Sequence, residues 1–296
     1  MTWWRKVRRS REVEGILFIL PYGLVWLVFL VLPVLYGFYI SLFRWQPLLG
    51  STFLGLKNYL DLARDPRFWN AFRNTGWFAL ITIPLILGIG LFFALLLRAL
   101  GRWRGNGLVE SSFFYPYLLN VSIVSIVWKW LLDPDFGLVL AYLRSLGLNP
   151  PTFLNHPLWA IPAIAFATGW WLAGYRMVIF RAAIEDIPPE IFEMAEIDGV
   201  GTWSRLWRIT LPLLKPALLF SLVLTAISGF SVLGQVLMMT AGGPGRASEV
   251  MALYLYRLGW EAMDMGKAAA IGFVLFLVIL AFTLVGFRFL GFESEM

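Results

Sequence analysis

Residues 15–42 read GILFILPYGLVWLVFLVLPVLYGFYISL, a run of 28 residues without a single Asp, Glu, Lys or Arg. A helix rises 1.5 Å per residue, so about 20 apolar residues cross a hydrocarbon layer of roughly 30 Å. The run is long enough to span. Its apolar residues fall on all faces rather than on one stripe, which separates it from an amphipathic surface helix. Five further stretches share this character: residues 76–97, 112–132, 159–180, 212–239 and 267–290. The expected fold class is therefore all-α, a polytopic bundle of six transmembrane helices, with residues 1–296 forming a single transmembrane domain.

Composition agrees. The chain is 59% hydrophobic and 14% charged, with a mean hydropathy of +0.75. A soluble domain carries about 45–50% apolar and about 25% charged residues. A soluble chain of this composition would leave large apolar patches in water. The 15 Trp, 10 Tyr and 25 Phe suit the two bilayer interfaces, where amphipathic rings collect. With no Cys and one His, disulfides, thiol catalysis and Cys- or His-rich metal sites are excluded. The net charge of +6 comes from basic residues scattered among apolar runs. Lys and Arg in cytoplasmic segments explain it, and no nucleic-acid partner is expected.

The cluster Arg5, Lys6, Arg8, Arg9 and Arg11 before the first run sets the expected orientation. A signal-peptide core is only about 7–15 residues long, so an uncleaved first span is expected. With six spans, both termini would be cytoplasmic. Pro21, Pro33, Pro84, Pro116 and Pro162 fall inside spans, which a bundle tolerates because neighbours satisfy the freed carbonyls.

Ion-driven carriers usually keep acidic residues within their spans. Here the span centres hold no Asp or Glu. Lys129, between Trp128 and Trp130, and Arg176, near the inner end of the fourth run, read as snorkelling interfacial cations. No G-x-x-x-x-G-K-[ST] phosphate loop occurs, and Gly266-Lys267 lacks the upstream glycine. If the chain serves a pump, the energy source lies on another chain.

One segment breaks the apolar pattern: Glu185-Asp186-Ile187-Pro188-Pro189-Glu190-Ile191-Phe192-Glu193-Met194-Ala195-Glu196-Ile197-Asp198-Gly199. Paired prolines open a helix well, Glu190 suits its positive N-terminal end, and Gly199 is a natural stop. A short acidic helix over about 189–200 follows. Phe192, Ala195 and Gly199 share one of its faces, where small residues permit close approach of a partner. By composition alone, a solvated loop helix is an equal alternative.

The order of residues goes further. Glu193-Met194-Ala195-Glu196-Ile197-Asp198-Gly199, nine residues, then Ile209-Thr210-Leu211-Pro212 resembles the signature loop of permease subunits of ATP-driven importers, E-A-A, two residues, D-G, nine residues, I-x-L-P. Met194 alone departs, in place of the second-position Ala. Met239-Thr240-Ala241-Gly242-Gly243-Pro244 with Ala247-Ser248-Glu249, Leu253-Tyr254-Leu255-Tyr256-Arg257 and Met265-Gly266-Lys267-Ala268-Ala269-Ala270 is similar to the outer loop of carbohydrate-importer permeases, of the type of the larger maltose-system subunit.

The resemblance implies a permease subunit rather than an enzyme. It would work with a second, homologous permease, a pair of ATPase subunits and an extracytoplasmic sugar-binding protein, in the lipid of the cell's inner membrane. The chain itself would carry no cofactor, with ATP and Mg on the ATPase. Glu193, Ala195, Asp198 and Gly199 match the motif positions and would couple the ATPase to the spans. Gly242, Gly243 and Pro244 would contact the binding protein or lie above the sugar path, although a rigid turn explains them equally. Carbohydrate sites in such permeases lie near the bilayer midplane between facing helices. At that depth Thr168, Trp171, Leu172 and Tyr175 form one helical stripe, and Thr225, Ser228, Gly229 and Val232 another. Together they offer hydroxyl partners and aromatic faces for a sugar. The alternative is that the hydroxyls bond their own helices and the aromatics only pack. An ion-coupled carrier or a non-transporting scaffold is the competing class; the absent membrane acids argue against the first and the signature loop against the second.

Overall fold

The computed structural model describes residues 11–46, 50–101 and 105–290. The basic cluster Arg5–Arg9, together with Arg102 and Arg104, lies outside these residues. In chain order the elements are α1 (Arg11–Trp26), running through a π-turn at Leu27–Val31 into α2 (Leu32–Ser41), strands β1 (Phe43–Gln46) and β2 (Gly50–Phe53), α3 (Lys57–Ala63), α4 (Pro66–Ala99), α5 (Asn106–Phe114), α6 (Val121–Leu131), α7 (Leu138–Ser145), α8 (Ala160–Glu185), α9 (Pro189–Ile197), α10 (Thr202–Arg205), α11 (Leu211–Leu213), α12 (Lys215–Phe230), α13 (Gly234–Met239), α14 (Met251–Tyr256) and α15 (Met265–Leu290). Among the described residues five helices are long and apolar enough to cross a membrane, and a sixth is reached only when the pair 106–118 and 121–131, bent by 101°, is counted as one span.

Two compact units divide these elements. The smaller takes the stretch up to Arg64 together with Leu255–Phe273. Within it β1 and β2 pair antiparallel, Phe43 opposite Phe53. This hairpin and α3 occupy what the sequence offers as a plain loop. The Asn58 side chain donates to the Ser41 carbonyl at 2.7 Å and the Phe43 carbonyl at 2.9 Å, fixing the hairpin to the end of α2. Any Cβ at Gly266 would collide with the Phe43 carbonyl, so the first turn of α15 passes the hairpin at backbone distance. From residue 15 to 40 no described side chain of α1 or α2 is buried, as suits a helix solvated by lipid or covered by another chain.

The larger unit comprises Asp65–Tyr254 and the chain from Val274 onward. Its axis is α8 packed along α4. Small residues let the two approach closely: a Cβ on Gly90 would lie 2.8 Å from Cβ of Arg176, and one on Gly169 would lie 2.6 Å from the Leu85 side chain. Toward the C-terminal ends of α4 and α8, Ala94, Leu97, Met177, Phe180, Ile184, Ile187 and Leu214 form a buried cluster. Helix α15 joins through Phe282, whose ring meets Phe230 at 5.4 Å.

Four boundaries differ from the sequence expectation. Helix α4 begins at Pro66, ten residues before residue 76, because Asp65 caps it, its side chain accepting from the Arg67 amide at 2.9 Å. At 34 residues it is about 51 Å long and projects beyond the hydrocarbon layer. The third run is not one straight span. Pro116 ends α5 in a 3₁₀ turn, Leu119 and Asn120 are extended, and α6 leaves at 101°. The fourth helix continues to Glu185 rather than stopping at residue 180. The fifth breaks at Ser231–Leu233, between α12 and α13.

Candidate functional site

The acidic helix is α9. Pro188 and Pro189 start it, and it ends at Ile197, with Asp198 as its C-cap and Gly199 at φ +69°. The Val200 amide returns to the Ala195 carbonyl at 2.9 Å and that of Gly199 to Glu196 at 3.0 Å, the closure that only a left-handed residue completes without strain. The helix is therefore shorter than 189–200. Its orientation also corrects the expected docking face. Phe192 packs on the buried cluster at the C-terminal ends of α4 and α8, and Ala195 is buried, so this face is turned to the chain's own helices. Glu190, Glu193, Met194, Glu196, Ile197 and Asp198 are exposed, and Ile197 is 84% exposed. An acidic rim around two bare apolar side chains has no partner within the described chain.

Arg98 fastens α9, and Arg181 ties the helices beside it. Arg98, in the last turn of α4, lays its guanidinium 3.7 Å over the Phe192 ring and donates to the Ile184 carbonyl at 3.1 Å. That carbonyl lies in the last turn of α8, where a cation meets the negative end of the helix dipole. Arg181 bonds Glu185 at 2.9 Å and pairs with Glu110 of α5. Arg98 thus joins α9 to the ends of α4 and α8, and Arg181 joins α8 to α5.

The two stripes take different places. Thr168 is buried and its hydroxyl donates to Ile164 of its own helix at 2.8 Å. Leu172 and Val232 are buried, and Gly229 lies against Ala79 and Ile83 of α4. These four serve packing within the described chain. Trp171 and Tyr175 are half-buried and meet the break in the third span. The Trp171 Nε1 donates to the Leu119 carbonyl at 3.1 Å, and the Tyr175 ring stacks on Tyr117 with centroids 4.7 Å apart and 8° between planes. Ser228 is exposed, its hydroxyl returned to Leu224 at 2.9 Å. Thr225 is fully buried, donates to Ser221 at 2.7 Å and accepts from Arg176 Nε at 2.8 Å.

Arg176 is not an interfacial snorkeller. Because α8 runs on to Glu185, Arg176 lies nine residues inside the helix end and is only 4% exposed. Its guanidinium also sits 4.9 Å from the Tyr175 ring centroid. Sequence reasoning missed Arg176 and Tyr117 as members of this cluster; Pro116 within a span was the available signal for Tyr117. Lys129 is exposed, with Nζ 3.5 Å from the Met238 carbonyl.

The loop through Gly242–Pro244, which contains a cis Gly243–Pro244 bond, is tied to the N-terminal end of α4. Glu249 is fully buried and receives Arg67 through two bonds of 2.9 and 2.7 Å. The Asn74 side chain donates to the carbonyls of Arg246 and Glu249 at 3.2 and 3.0 Å. The Ser248 hydroxyl bonds the Gly243 carbonyl and lies 2.8 Å from that of Thr240. Tyr254 donates to Asp65 and lies under the Arg67 guanidinium. Burial first, and the bond to Asp65 second, hold the Tyr254 phenol above its ordinary range. None of Arg67, Asp65 and Asn74 stood out in the sequence, for each is an ordinary loop residue until the fold joins it to the 240–251 loop. Among the described residues no group of three His, Asp or Glu could hold a metal ion.

Residues 86–292 match the family model described as the binding-protein-dependent transport system inner membrane component. The chain is 34% identical to the trehalose/maltose transport system permease protein MalF of Thermococcus litoralis, over 94% of each chain. It is 31% identical to the probable ABC transporter permease protein YurN of Bacillus subtilis, over 95% of this chain and 97% of that one. In structure it resembles a bacterial ABC transporter involved in the import of the acidic polysaccharide alginate, with a TM-score of 0.81, 23% identity and full coverage of both chains.

Proposed function

We propose, for a chain that belongs to the family of binding-protein-dependent transport system inner membrane components, that it forms half of the translocation path of an ATP-driven sugar importer. Membership makes it a multi-pass inner-membrane transport subunit and not an enzyme. The sugar follows from relatives named for trehalose and maltose transport; disaccharides, oligosaccharides and related polyols or glycerol phosphates are the class. Its partners are a second permease, an ATPase pair that binds ATP and Mg, and an extracytoplasmic binding protein. Both termini are cytoplasmic, and the whole chain acts as one transmembrane domain.

The observation that carries this reading is α9. Its exposed rim of Glu193, Met194, Ile197 and Asp198 has the chemistry of a knob for a groove on the ATPase, where a carboxylate accepts charge-assisted bonds from arginine. Ala195 supports the knob from beneath, and Gly199 lets the chain turn back at its end. Arg98 passes its motion to α4 and α8, and Arg181 carries it on from α8 to α5. In the path, Trp171 and Tyr175 offer aromatic faces and Ser228 a hydroxyl. The loop braced by Glu249 presents Gly243 and Pro244 to the binding protein, while Gly242 is buried against Leu253 and Glu249 and shapes the turn from beneath. The test is Glu193→Lys in the complete transporter. The variant inserts normally but loses ATPase attachment and sugar uptake by more than tenfold. Wild-type attachment and uptake would remove the coupling role.

A further inference from the structure

Beside α9 lies a cavity of about 450 Å³ into which two cations project, Arg98 from α4 and Arg205 from α10. The Arg205 guanidinium makes no hydrogen bond or ion pair among the described residues. Arg98 spends one nitrogen on the Ile184 carbonyl and its flat face on Phe192. Glu185, the neighbouring carboxylate, is already bonded by Arg181 at 2.9 Å. Two like charges therefore share a partly enclosed space, where their repulsion is stronger than in open water. An anion between them would turn that repulsion into two charge-assisted contacts.

The rest of the cavity identifies the kind of anion. One wall is apolar: Phe92, Leu95 and Leu96 of α4. Phe92 is 60% exposed, and Leu96 and Leu100 follow at i+4 and i+8, also exposed. Going the other way along α4, Pro84, Leu80 and Trp77 continue the exposed stripe. A ligand head held at Arg98 would find an apolar track for a tail along the span. Trp203 lines the mouth and meets Trp207 edge to face at 5.8 Å, both exposed. Tryptophans collect at the headgroup level of a bilayer, and basic pockets at the ends of spans hold anionic headgroups. We propose that this cavity binds the phosphate-bearing headgroup of an anionic phospholipid through Arg98 and Arg205, with an acyl chain lying along Phe92 and Leu96. The inference depends on no particular solute.

The experiment uses the complete transporter in nanodiscs of phosphatidylcholine with phosphatidylglycerol, released into detergent and analysed by native mass spectrometry. The wild type retains phosphatidylglycerol in preference to phosphatidylcholine. Arg98→Gln with Arg205→Gln lowers that retention about tenfold, Arg205→Gln alone lowers it several-fold, and Arg205→Lys keeps most of it. Where the double variant fails to assemble, the single Arg205 variants decide, assembly being checked by size-exclusion chromatography. Equal retention in wild type and Arg205→Gln overturns the proposal. So does displacement of the lipid by millimolar inorganic phosphate, which would make the cavity a site for a free anion. A photo-crosslinker at Thr202 that captures a protein chain instead of phosphatidylglycerol overturns it as well.

Discussion

Glu249→Ala tests whether the 240–251 loop is held by its buried ion pair. Glu249 has no exposed side-chain surface, whereas Arg67 keeps about a quarter of its own. Removing one member of a fully buried pair costs about 3–5 kcal/mol, because the other charge is stranded. Arg67 can still turn part of its guanidinium to water, and the Tyr254 ring remains beneath it. The loss is therefore placed lower, at about 2–3 kcal/mol of local stability. Since each 1.4 kcal/mol is tenfold, amide exchange over residues 242–250 should accelerate about 30- to 150-fold. Hydrogen–deuterium exchange on the purified transporter reads this directly, with the amides of α8 as an internal reference. Arg67→Ala should loosen the same residues, and the double variant should cost less than the sum of the singles, because neither charge is then stranded. Exchange within threefold of wild type in Glu249→Ala, or strict additivity of the two changes, would refute the idea that this pair holds the loop.

Gly174→Leu should prevent assembly of the bundle, since any Cβ there collides with the Phe113 carbonyl; the check is the yield of monodisperse protein, against Gly88→Leu, where nothing lies within 4 Å. Tyr175→Ala should abolish most sugar uptake while binding-protein-stimulated ATP hydrolysis persists, and Tyr175→Phe, which preserves the stack on Tyr117, should restore at least half. The Tyr254 phenol is raised above its unfolded value near 10. Its contribution is thus complete below about pH 10 and lost only as pH rises through the higher folded value, so loop exchange, corrected for intrinsic rate, should stay flat from pH 7 to 10. Tyr254→Phe should accelerate exchange at Asp65–Arg67 several-fold by removing the bond to Asp65.

Membrane residence, the long apolar helices and the acidic helix were legible from the chain alone, because each depends on local composition. A run of 28 residues without charge has one stable solvent, and Pro188, Pro189 and Gly199 delimit a helix by backbone chemistry that needs no neighbour. Contact across the bundle was not legible. Arg176 looked interfacial because periodicity places a residue along a helix but not the helix end, and five more residues of α8 moved it inside. The Phe192 and Ala195 face was expected toward a partner, yet apolar burial against the C-terminal ends of α4 and α8 turned it home and left Glu193 and Ile197 exposed. Of the eight stripe residues, Thr168, Leu172, Gly229 and Val232 went to packing, while Trp171 and Tyr175 met a bend whose angle no single segment encodes. The ties among Arg67, Glu249, Asn74 and Tyr254 join residues more than 170 positions apart. Only the folded chain brings such groups together, for a side chain's burial and partners are set by what packs on it rather than by its neighbours in sequence.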